Sequence, residues 1–112
     1  MPRRDWQFRI HDILESVRAA RGFCAGMSEP DFVQDQRTRR AVLHALIVIG
    51  EASGHVPDEV CRSHPGIDWA RMRAMRNILV HEYFGVDASI VWRTVQDDLP
   101  RIEAQLERLV AG

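Results

Sequence analysis

From Ala41 to Ile49 a single residue, His44, interrupts an otherwise continuous apolar stretch. A helix that is apolar nearly all the way round cannot rest on one neighbour. It must lie at the centre of a bundle or at an interface between subunits. The residues leading into it, Asp35 to Arg40, are strongly charged, and Gly50 and Gly54 weaken its far end. The rest of the chain must therefore supply amphipathic elements to cover it.

Those elements are visible as three- and four-residue recurrences. Trp6, Ile10, Ile13, Leu14, Val17 and Cys24 form the stripe of a first helix over about Trp6 to Cys24. Gly22 and Gly26 mark its end, and Met27-Ser28-Glu29-Pro30 reads as a turn, with Asp31 or a neighbour capping the central helix. Pro57 suits the first position of a short helix reaching about Arg62, and His64-Pro65-Gly66 is a second turn. Asp68 is a fitting N-cap for a third main helix with the stripe Met72, Met75, Leu79, and Gly85 lies just past its end. Asp87 caps the last helix, where Val91, Val95, Leu99, Ile102, Leu106 and Leu109 repeat at helical spacing. Pro100 should kink or bend that helix. No segment alternates with a strand period. The expectation is one all-α domain over residues 1–112, an up-and-down antiparallel bundle.

Composition narrows the function classes. The 46% apolar content supports one ordinary core, and the longest apolar run, Ala45 to Ile49, is far too short to span a bilayer. Arg3 and Arg4 precede no apolar segment of the signal-peptide type, so a cytoplasmic chain with no membrane partner is expected. The two cysteines, Cys24 and Cys61, fit that compartment as free thiols. Cys61 and His64 have C-x-x-H spacing, but no second ligand pair completes a zinc site, so no metal or other cofactor is expected. With 15 basic and 16 acidic residues the formal charge is −1, which disfavours a binder of long duplexes. Every basic residue is arginine.

Chemistry concentrates in Arg76-Asn77-Ile78-Leu79-Val80-His81-Glu82-Tyr83: a guanidinium, an amide, an imidazole, a carboxylate and a phenol within eight residues. Positions five apart on a regular helix are separated by about 140° around its axis, so Arg76 and His81 cannot face one target from one unbroken helix. Either the helix ends near Val80 and the chain swings back, or two copies of the segment meet across a dimer. The residues alone also allow a plain structural role. Arg76 would lay its stem on Met72 and Leu79, His81 would sit at a helix C-terminus, and Tyr83 would be partly buried. The clusters Arg37, Arg39, Arg40 and Arg71, Arg73 read as solvated faces or as guides for RNA. Glu51, just past the apolar run, needs a partner such as an arginine if it is enclosed.

The pattern Arg-x-x-x-x-His-x-Tyr resembles the signature of the HepT-like toxins, a branch of the HEPN helical domains. Val48-Ile49-Gly50-Glu51-Ala52 is similar to the family's segment at the end of the central helix. The order Ile67-Asp68-Trp69, Met75-Arg76-Asn77, His81-Glu82-Tyr83-Phe84-Gly85-Val86-Asp87 follows the family too, as do Val91-Trp92 and Asp97-Asp98-Leu99-Pro100. The resemblance covers essentially the whole chain.

It implies a homodimeric HEPN-like bundle whose paired motifs form a metal-independent ribonuclease. Arg76 would hold the scissile phosphate, His81 would act as general acid or base, and Asn77 would orient substrate or the catalytic groups. Glu51, from its place after the apolar run and not from the resemblance, is a candidate to support the cleft. RNA's own ribose hydroxyl would be the nucleophile, consistent with the lack of a magnesium-type carboxylate cluster near the motif. The resemblance further implies a nucleotidyltransferase antitoxin of the MntA type that adenylylates Tyr83. The alternative is a non-catalytic HEPN partner that binds nucleotide or the transferase.

Overall fold

The computed structural model describes the backbone of residues 4–83 and 87–112 and the side chains of residues 6–77 and 87–112. Four longer helices, α1 (Arg4–Cys24), α3 (Gln36–Gly54), α5 (Trp69–Tyr83) and α7 (Leu99–Ala111), alternate with three short ones. The short helices are α2 (Glu29–Gln34), α4 (Asp58–Ser63) and α6 (Ala88–Arg93), and a π-helical turn over Thr94–Asp98 joins α6 to α7. Among the described residues every regular element is helical, and the domain is an all-α bundle.

The nearly all-apolar helix lies at the centre, as its composition demands. One side of α3 packs on α1 and the other on α5, while α7 lies along α1. Its Val42, Leu43, Ala45, Leu46, Ile49 and Ala52 are buried. The α1 stripe of Ile10, Ile13, Leu14, Val17 and Cys24 is buried against them, as are Met72 and Met75 of α5 and Val95, Leu99, Ile102 and Leu106 of the last segment. No described helix is long and apolar enough to cross a membrane.

Local rules explain where the helices begin. The segment expected as a turn at Met27 to Pro30 instead opens α2. Ser28 and Asp31 form a reciprocal capping box: the Asp31 amide donates to Ser28 Oγ (3.2 Å) and the Ser28 amide to Asp31 Oδ2 (3.1 Å). Pro30 falls in the first turn, where its missing N–H costs nothing. The helix then buries Phe32 completely, tilted against Trp92 at 5.5 Å between ring centroids. Asp35, not Asp31, caps the central helix. Its carboxylate accepts from the Thr38 amide (3.0 Å) and hydroxyl (2.8 Å), which hold it below the usual carboxylate range. Asp87 caps α6 through the Ser89 amide, as expected. Pro57 precedes α4 by one residue, as its N-cap.

The bend expected at Pro100 takes a specific form. The backbone widens into the π turn, where the Leu99 amide reaches back five residues to the Thr94 carbonyl, and α7 restarts with Pro100 in its first turn. Asp98 is buried in that turn. It accepts from Arg71 Nε of α5 (2.8 Å) and from Arg101 (3.4 Å), and Arg101 also reaches Asp68 (3.0 Å). The base of α5 is thereby fastened to α7. Asp98→Ala is expected to destabilise the fold by about 1–3 kcal/mol, since it deletes charge-assisted hydrogen bonds at a buried acceptor. Urea unfolding of the variant measures this. The exposed pairs between α1 and α7, Arg18 with Glu107 (3.0 Å) and Arg21 with Glu103 (2.6 Å), contribute less, under about 1 kcal/mol each.

Candidate functional site

The motif helix is positioned by two contacts that also fix its direction. Gly50 of α3 touches Arg76 of α5. One turn earlier on α5, Arg73 meets Cys61 Sγ (3.2 Å) and Asp58 (3.8 Å), both on α4 just beyond the end of α3. Moving towards the start of α5 thus moves towards the end of α3, so the two helices run antiparallel. The later part of α5, positions 77 to 83, therefore runs back along α3 from Gly50 towards its apolar middle, where His44 is exposed.

Gly50 was read as a helix-weakening residue, yet α3 runs straight through it to Gly54. Its function is steric. A Cβ on residue 50 would lie 2.8 Å from the Arg76 backbone nitrogen and 2.3 Å from its Cγ. Only glycine lets the two backbones come this close. Ser53, one turn further along α3, is also fully buried and spends its hydroxyl on the Gly50 carbonyl (3.0 Å).

Beside that contact Arg76 Nε lies 2.9 Å from Glu51 Oε1. The two side chains are 57% and 51% exposed, so the pair is solvent-screened and adds little to stability, roughly 0–1 kcal/mol. Its consequence is geometric: Gly50 fixes the stem of Arg76 and Glu51 fixes its head. Asn77 follows and is exposed. Among the sequence-predicted residues, the structure therefore joins Arg76 to Glu51, with Asn77 the next residue of the helix.

Positions 81 and 83 lie on the same helix, which stays regular through Tyr83. Of the two alternatives, the one in which the helix ends near Val80 is thereby removed. The side chains of His81 and Tyr83, and Phe84 to Val86 with the expected stop at Gly85, lie outside the described residues. The arginines at 71 and 73 are not free guides for RNA, being committed to Asp98 and to Cys61 and Asp58. Cys24 and Cys61 are free, buried thiols, and burial pushes both up from the ordinary thiol range. Among the described residues no group of three or more His, Cys, Asp or Glu is placed to hold a metal ion. Of the other histidines, His11, His44 and His55 are exposed, whereas His64 is half-buried and its carbonyl accepts from the Trp69 indole (3.0 Å).

Comparison with known proteins gives this geometry a family. The profile described as "Ribonuclease HepT-like" matches residues 13–109. A protein of Thermococcus cleftensis named "Probable ribonuclease HepT" is 40% identical over 100 residues, covering 89% of this chain and 91% of that protein. A candidate RNase of Methanocaldococcus jannaschii is 36% identical over 107 residues, covering 96% of this chain and 98% of its own. A candidate RNase of Caldanaerobacter subterraneus is 38% identical, with 76% of each chain covered. No solved structure matches the chain significantly. The matched span includes α3, α5 and both halves of the Arg76–Glu51 contact, and the chain belongs to the HepT-like ribonuclease family.

Proposed function

We propose that this protein is a metal-independent endoribonuclease toxin. It acts in the cytoplasm at a cleft formed where two copies meet in a homodimer, and a nucleotidyltransferase antitoxin of the MntA type silences it by adenylylating Tyr83. The observation that carries the reading is an exposed arginine held from two sides, by Gly50 at its stem and Glu51 at its head, on the helix that also carries positions 77, 81 and 83. A snorkelling arginine would also expose its head; what favours the site reading is that this head is paired with Glu51 on the motif helix.

The regular course of α5 also bears on assembly. Positions 76 and 81 are about 140° apart on one helix, so a second copy is the simplest source of a complementary face. In the cleft Arg76 grips the scissile phosphate and Asn77 orients it. The ribose 2′-hydroxyl loses its proton and attacks phosphorus. The bond to the 5′-oxygen then breaks, leaving a cyclic phosphate, and that oxygen takes up a proton. His81 serves one of these two proton transfers as general acid or base. Arg76 stabilises the extra charge on the phosphoryl oxygens.

Position 83 lies seven residues from 76, which returns it to within about 20° of the same helical stripe, about 10 Å further along. Adenylate on Tyr83 would thus set a phosphate on the face that carries Arg76, competing with RNA phosphate for its charge. Expression of the chain without an antitoxin is expected to arrest growth, and His81→Ala is expected to restore it. Co-expression with an MntA-type transferase should add one adenylate mass to the tryptic peptide bearing Tyr83. Equal growth of wild type and His81→Ala without the transferase, or an unmodified Tyr83 with it, contradicts the corresponding half of the proposal.

A further inference from the structure

The ion pair between Glu51 and Arg76 poses a question that phosphate binding alone does not answer. A carboxylate beside a phosphate-gripping arginine repels the same phosphate. If Arg76 needed only positive charge, the site would be better without Glu51. The pair is also half-exposed on both sides, so stability does not account for it.

We infer that Glu51 is a positioning residue for Arg76, an inference that rests on the ribonuclease reading of the site. A guanidinium has five N–H donors in a planar fork. The closest approach of Glu51 is to Nε, at 2.9 Å, and among the described residues no other partner engages Arg76. The charge of Glu51 thus anchors the guanidinium from its Nε end as an ion pair, and the Nη1 and Nη2 donors remain for a bidentate grip on phosphate oxygens. Gly50 supplies the second constraint, because its missing Cβ lets the Arg76 backbone and Cγ sit against α3. With stem and Nε both fixed, the long side chain gives up most of its rotamer freedom before RNA arrives. The ordering cost then does not fall on the chemical step. Lysine cannot replace this arrangement, since its ammonium has no second edge of fixed geometry.

The inference separates Glu51 from Arg76 kinetically. Loss of positioning should lower kcat, while the nearby negative charge, once removed, should leave RNA binding equal or slightly tighter. The probes are a fluorescent 20-mer RNA of mixed sequence and its 2′-O-methyl counterpart, which binds but cannot be cut by its own hydroxyl. With the purified full chain, Glu51→Gln is expected to reduce kcat about tenfold or more. Its Kd for the 2′-O-methyl 20-mer should change less than threefold, and its Tm should stay that of wild type. Glu51→Asp should recover part of the lost kcat. A Glu51→Gln variant that cuts at the wild-type rate or faster overturns the inference.

An activity-independent readout is the Arg76 Nε–Hε signal in 15N NMR, assigned by its loss in Arg76→Lys. It is expected to be distinct in wild type and to move to the position of free arginines in Glu51→Gln. An unmoved signal overturns the inference whatever the activity. If wild type cuts no RNA while the signal still moves, the ribonuclease reading falls and the positioning of Arg76 by Glu51 stands.

Discussion

Arg76→Ala is expected to lower RNA cleavage by a factor on the order of 10²–10³ while leaving the protein folded. Two observations separate these effects. The Arg76 side chain is 57% exposed, and that of its one described partner, Glu51, is 51% exposed, so removing the pair strips little stabilisation from the bundle. On the proposed mechanism, in contrast, the guanidinium is the main positive group at the scissile phosphate. Its loss removes both the grip and the stabilisation of developing charge. Initial rates on a labelled RNA, read beside thermal unfolding, test this directly. Cleavage within threefold of wild type would contradict the role given to Arg76. A large fall in Tm would point instead to a structural role.

The second large effect is steric and concerns stability and activity together. Gly50→Ala is expected to destabilise the fold by about 1–3 kcal/mol, because the new Cβ meets the Arg76 backbone nitrogen at 2.8 Å and α5 must move away. Alanine normally improves a helix interior by roughly 0.5–1 kcal/mol over glycine, so the sign here is opposite to helix propensity. Gly22→Ala is the matched control. It too lies in a helix, α1, but a Cβ there meets nothing within 4 Å, so that variant should be stabilised by up to about 1 kcal/mol. Because Gly50 also sets the stem of Arg76, its alanine variant should lose cleavage even at temperatures where it remains folded. Chemical denaturation of the two variants measures the contrast. Equal shifts of one sign would refute the close-contact account of α3 and α5.

Much of this architecture is legible in the residues because periodicity reports burial. The run from Ala41 to Ile49 demanded neighbours on several sides and has them in α1 and α5. The stripe from Val91 to Leu106 is buried at each marked position that is described. Short helices were harder to see. α2 was read as a turn because Pro30 is a strong breaker signal, although Ser28-x-x-Asp31 is a capping-box pattern that places Pro30 where it is harmless. The π turn left no mark of its own in the sequence, and Pro100 indicated a disturbance without its form.

The site divides the same way. Spacing alone separated positions 76 and 81 on a regular helix, and the unbroken course of α5 through Tyr83 upholds that separation while removing the option of an early helix end. The steric role of Gly50 was not legible, since it arises from contact with a segment 26 residues away, whereas Glu51 called for an arginine without showing which one. Gly50 reads as weakness, and the arginine that Glu51 needs stays unnamed, until α5 is laid against them. Arg71 and Arg73 illustrate the converse. In sequence they resemble a basic patch, but in the fold they fasten α5 to Asp98 and to α4.

The central claim is that His81 and Arg76 serve RNA cleavage that needs no metal, and one measurement addresses it most directly. The purified chain, free of antitoxin, is incubated with 5′-labelled RNA in excess EDTA, and the product ends are identified by mass spectrometry. The account predicts cleavage with 2′,3′-cyclic phosphate ends, no cleavage of the matching DNA, and loss of activity in His81→Ala. Intact RNA with the wild-type chain, or equal cutting by wild type and His81→Ala, would contradict it.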